Sequence, residues 1–152
     1  MNFDLAAALP LLSPKAIEWA EQQSAEIAAS GEPLTGGNLA IARQVGVSNP
    51  ERIRPSFVDR LPLPADPLLR QAVLQTGLLG PNMIGITLGY SIYICNGFNS
   101  RRLLSYECRH VHQYEQAGSI RAYIPKYLQE IVQHGYPSAP YEVDARAHEI
   151  IT

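Results

Sequence analysis

Residues 83–95 read MIGITLGYSIYIC, thirteen positions with no charge and no proline. Ile84, Ile86 and Leu88 alternate, and Ile92 and Ile94 alternate again beyond Gly89. A period of two fits strands and not helices. Gly89 interrupts it, so the stretch is either a tight hairpin or one bulged strand. The flanking sequence reads as helix. Ser13-Pro14 has the form of a helix start, with Ser as N-cap and Pro in the first helical position, and AIEWAEQQSAEIAA follows as far as Ser30-Gly31. A short helix is expected over Asn38–Val45. Residues 47–65 hold four prolines, which excludes helix there and leaves an extended segment near Ile53–Val58, at an edge if it joins a sheet. Asp66-Pro67 opens a helix that ends at Gly77. Ser100 caps one from Arg101 to about Ala117. Another spans Ser119–His134, with Pro125 either kinking it or marking a fresh start, and a last one begins near Pro140. Helices, then strands, then helices, without βαβ alternation, predict a single α+β domain, mostly helical with a small β-element.

The 152 residues, 46% hydrophobic and with net charge −2, are one domain's worth of chain. The basic residues are scattered, which argues against nucleic acid as a partner. No apolar run approaches the roughly 20 residues of a membrane span. Asp4 stands where a secretory leader would carry Lys or Arg, so the start reads as mature sequence and the protein as cytoplasmic. Cys95 and Cys108 form no C-x-x-C pair, which fits a reducing compartment and disfavours a cysteine-based zinc site.

The chemistry concentrates in YECRHVHQYE, residues 106–115. With His at position 106 it would be H-E-x-x-H, in which two imidazoles one helical turn apart grip zinc and the intervening Glu polarises a water. Here Glu107 and His110 are present and Tyr106 holds the first ligand position. A third ligand must come from elsewhere, and Glu142 on the predicted helix PYEVDARAHE is the best candidate. His148 on that helix lies about 240° round from Glu142, and His112 about 200° from His110, so neither shares a face with the ligand position.

LLSYECRHVHQYEQAG, the helix ending in Gly135-Tyr136, and PYEVDARAHE together resemble a family of small gluzincin-like bacterial domains, whose members read L-L-S/A-H-E-x-x-H-V-x-Q-Y before a glutamate two helices on. VDRLPLP, GLLGP and GITLGYSIYI also look like that group. The resemblance covers about residues 47–150, which leaves 1–46 as an N-terminal helical segment packed on a core of 47–152. It implies a minimal zincin-like domain with the β-element beside the motif helix. It implies Glu107 as general base, zinc as the metal, and His110 and Glu142 as ligands, with Tyr106 falling on the family's first ligand. The implied partner is a peptide or protein substrate, aligned by β-addition along Gly89–Ile94.

A phenol binds zinc well only after losing a proton from a pKa of about 10, so the Tyr is expected to leave zinc weakly held or absent. Two readings follow: a zinc metallopeptidase-like hydrolase impaired by Tyr106, or a non-catalytic binding module that keeps the fold without metal. A third, an unrelated enzyme using Glu107 and His110 as an acid–base pair, has little behind it. They separate on whether the Tyr106 hydroxyl bonds to Glu107, His110 or Glu142. Around the site, Tyr123, Tyr127, Tyr136 or Tyr141 are offered as oxyanion donors, each with packing as the plainer role. Cys108 is expected in the core and Arg109 at the surface. Gln113 is either a ligand's partner or exposed. Asp144 and Arg146 either orient a ligand or pair in solvent.

Overall fold

The computed structural model describes residues 4–151. Among them it forms a mostly helical α+β domain with six α-helices and a three-stranded sheet. The helices are α1 Leu5–Ser30, α2 Gly37–Gln44, α3 Pro67–Gln75, α4 Arg101–Ala117, α5 Ile120–His134 and α6 Pro140–Ala147; the strands are β1 Arg54–Val58, β2 Gly85–Leu88 and β3 Ser91–Cys95. None of the helices in the described residues is long and apolar enough to cross a membrane.

The first helix begins at Leu5, nine residues before the expected first helical position at Pro14. Asp4 caps it, its carboxylate accepting from the Ala7 amide at 3.2 Å, and Pro10 and Pro14 lie inside. Four residues apart, both prolines sit on the exposed face, while Leu12 and Ala16 turn into the core. Burial of Leu12, with Leu5, Ala8 and Leu9 packed half-buried against the same core, thus outweighs the two backbone bonds that proline removes. Pro125 likewise neither breaks α5 nor restarts it: the helix runs on to His134.

The strand order is β1-β3-β2, with β1 parallel and β2 antiparallel to β3. Residues 83–95 therefore fold as the tight hairpin. Leu88 faces Ser91 across the two-residue loop Gly89-Tyr90, and Gly89 takes φ +69°. A Cβ there would lie 3.2 Å from the Ile120 side chain. Gly89→Ala is expected to cost about 1–2 kcal/mol, read as a lower urea midpoint with an unchanged slope.

β1 is the edge strand its proline requires. The Arg54 amide donates to Tyr90 O and the Asn96 amide to Val58 O, so alternate residues of β1 face β3 and Pro55 faces outward. β3 is central, and all five of its residues are buried.

Two apolar clusters flank the sheet and α4. One gathers Leu12, Ala20 and Ile27 of α1, Val73 of α3 and Leu128 of α5. The other gathers Ile41 of α2, Ile92 and Ile94 of β3, and Leu104, Cys108 and Val111 of α4. The first cluster contains residues of α1 and the second residues of α2, so both helices supply part of the core.

Candidate functional site

The motif helix α4 is fixed at both ends. Ser100 Oγ accepts from the Leu103 amide at 3.1 Å, and Gly118, at φ +101°, ends it. Glu107, His110 and Tyr114 then face inward, one turn apart or nearly so. Pro140 starts α6, which buries Glu142 in its first turn.

These elements bring Tyr106, His110 and Glu142 into contact. The Tyr106 hydroxyl donates to Glu142 Oε2. Tyr127 donates to Glu142 Oε1 at 2.6 Å, and His110 Nε2 stands 3.3 Å from that oxygen. The Tyr106 and His110 rings meet edge to face, with centroids 4.8 Å apart. Glu107 lines the same cavity but is bonded elsewhere: the Thr87 hydroxyl of β2 donates to its Oε2 at 2.7 Å.

His110 is held in one tautomer. Gln113 Nε2 donates to Tyr141 O and to Asp144, both at 2.9 Å, which turns its amide oxygen toward the imidazole. Nδ1–H of His110 donates to that oxygen at 2.8 Å, leaving Nε2 as an acceptor directed at Glu142. Burial, only partly offset by Gln113, lowers the imidazole pKa to about 4. Burial raises the Glu142 carboxyl to about 8 against the pull of Arg146, and Glu107 to about 7 against the Thr87 hydrogen bond. At neutral pH His110 and Glu142 meet as neutral groups rather than as an ion pair.

The surrounding residues fall into distinct roles. Of the four tyrosines offered as oxyanion donors, only Tyr127 bonds to the triangle. Tyr123 donates to Gln113 at 3.3 Å, the Tyr136 hydroxyl rests against Met83 Sδ at 3.7 Å, and Tyr141 stacks on Tyr123. Cys108 is fully buried, and its thiol is pushed up to about 12 by that burial, so it is inert core. Arg109 is not the surface residue expected. It pairs with Asp144 at 2.8 Å and donates to Val45 O, because the end of α2 packs against α4 and offers a free carbonyl. Asp144 thus orients Gln113 and pairs with Arg109, while Arg146 donates to Pro137 O instead. His112 bonds Gly46 O, away from the triangle.

The strand beside α4 differs from the one expected. Gly89–Ile94 cannot take an added strand, because β3 is paired on both sides. The sheet edge next to α4 belongs to β2, whose Gly85 and Thr87 are buried there. In this register Gly85 and Thr87 point their amide and carbonyl groups away from β3, and Tyr114 already donates to Thr87 O at 3.2 Å. Thr87 escaped sequence reasoning. Its only signal was a polar residue in an otherwise apolar strand.

The side chains present do not fit a zinc ion. Both Glu142 oxygens accept from phenols, those of Tyr106 and Tyr127. Among the described residues there is no group of three His, Cys, Asp or Glu side chains arranged to hold a metal. No protein-family model, curated protein or solved structure matches the chain, so the site's chemistry rests on its own geometry.

Proposed function

We propose that this chain is a zincin-like domain that keeps the framework of a metal-dependent peptidase and works without the metal, as a non-catalytic module that binds peptide segments. One observation carries the reading: the hydroxyls of Tyr106 and Tyr127 both end on Glu142, so the carboxylate that would ligate zinc is satisfied by protein donors. The cavity beside it remains for a partner. The test needs only the chain as it stands. After incubation with equimolar zinc and dialysis it is expected to retain no stoichiometric metal, and to leave a mixed peptide library uncut. Retention of one zinc per chain at micromolar concentration would sink the proposal.

A second reading, an active hydrolase, has one observation in its favour. Glu107 is buried, has its carboxyl near 7, and so has the proton affinity a general base needs at neutral pH. Cleavage of the library that disappears in Glu107→Gln would favour this second reading.

A further inference from the structure

Away from the Tyr106–His110–Glu142 triangle, a second groove lies at the hairpin turn. It runs between α1, the segment from Ser48 to Arg54, and the junction of α4 with α5. Its volume is about 680 Å³, and Tyr114 is the one residue that also lines the cavity of Glu107. The end of α4 and the start of α5 meet here, so helix ends of opposite sign offset one another and side chains decide which charge is attracted. Tyr90 of the turn organises them. Its carbonyl accepts from the Arg54 amide at 2.9 Å, its hydroxyl donates to Glu115 Oε2 at 2.7 Å, and the Arg52 guanidinium lies over its ring, 4.2 Å from the centroid. Arg54 Nη1 donates to the carbonyls of Glu51 and Ile53 at 2.8 and 3.0 Å, on either side of Arg52. Arg54 Nε and Nη2, and the N–H groups of Arg52, have no protein acceptor among the described residues, and neither arginine forms an ion pair there. Glu115, the acidic residue of the lining, is already engaged: besides Tyr90 it accepts from the amides of Ser48 and Asn49 at 2.8 and 3.0 Å.

We propose that this groove binds a small phosphate monoester, with its phosphate on Arg52 and Arg54 and its organic part in the remaining volume. The lining carries two guanidinium groups with donors to spare and one carboxylate whose oxygens are satisfied, so the unmet need is for an anion. A carboxylate fills one guanidinium fork. A phosphate monoester has three acceptor oxygens and up to two charges, and can engage both arginines at once. The volume lies within the roughly 300–1,000 Å³ of small-molecule sites, so inorganic phosphate alone would leave most of it to water. The site is independent of the function proposed above, since it uses neither the triangle nor a metal.

Ribose 5-phosphate, inorganic phosphate and acetate are titrated separately into the full chain by calorimetry, at constant ionic strength so that general screening is the same in each. Ribose 5-phosphate is expected to bind one site with a Kd on the order of millimolar or below. It should bind about tenfold more tightly than inorganic phosphate, and acetate more weakly than either. Arg52→Gln and Arg54→Gln are each expected to weaken ribose 5-phosphate by about tenfold. Arg52→Lys keeps the charge and loses the fork; it should also bind more weakly than the parent, and it serves if a glutamine variant unfolds. No saturable binding of ribose 5-phosphate overturns the proposal. So does acetate binding as tightly as inorganic phosphate, inorganic phosphate binding as tightly as the sugar phosphate, or parental affinity in folded arginine variants.

Discussion

Tyr106→His is expected to raise zinc affinity by roughly a hundredfold to a thousandfold over the parent, which is what one added ligand contributes when the binding energy of a zinc site is shared among three or four. The substitution does two things at once. It places a neutral imidazole one turn before His110, and it removes the phenol that donates to Glu142 Oε2. The remaining parts are already oriented. Gln113 holds His110 with Nε2 free of its proton, and Asp144 and Tyr141 O hold Gln113. Competition against a chromophoric chelator measures the change. Equal affinity in the two chains would show that Tyr106 does not govern the metal position. Tyr106→Phe separates the two effects: it frees Glu142 Oε2 without supplying a ligand, and is expected to leave zinc uptake near the parent's.

The second large effect is on stability against pH. Glu107 and Glu142 have folded pKa values near 7 and 8, above the ordinary carboxyl value of 4.5. A carboxyl raised in this way favours the folded state fully below pH 4.5, and that contribution is lost as pH climbs through the folded values. His110 works in the opposite direction. Its folded value near 4 lies below the ordinary 6.5, so its contribution is present above 6.5 and lost as pH falls toward 4. Above pH 6.5 the two carboxyls therefore act unopposed. The chain is expected to lose on the order of 3 kcal/mol between pH 6.5 and 9, seen as a drop in Tm of roughly 10 °C. Glu142→Gln keeps the shape and removes the larger of the two titrations. It should flatten the curve and be the more stable chain at pH 9. A parent curve that is level from 6.5 to 9 would contradict the burial of these carboxyls.

Local signals in the sequence located many of the elements. Asp66, Ser100 and Ser119 are caps, and each accepts from an amide three residues on. The period-two run became a hairpin at its glycine, and Pro55 became an edge residue. The spacing of Tyr106 and His110, with Glu142 on a separate helix, led to three side chains that do meet. What local pattern could not supply is partnership across the fold. That β3 is central depends on β1 pairing with it from more than thirty residues away. Arg109 reads as a surface residue until the end of α2 presents Val45 O to it. Thr87 and Tyr127 complete the site only because β2 and α5 pack beside α4 and α6. The start of α1 was misplaced for a related reason: Ser13-Pro14 is a sound local signal, overruled by the burial of Leu12.

The position of β3 also bears on how this chain fails. Residues 83–95 are uncharged, free of proline and rich in β-branched and aromatic side chains, the composition that stacks readily with copies of itself. In the folded chain the inner half of that run is sealed between two neighbours. Pro55 withholds an amide from one rim of the sheet, and Tyr114 occupies a carbonyl on the other. Protection of the run is thus a property of the tertiary structure and not of the segment. Unfolding exposes this stretch, so heating is expected to end in precipitate, read as rising light scatter as the transition is crossed.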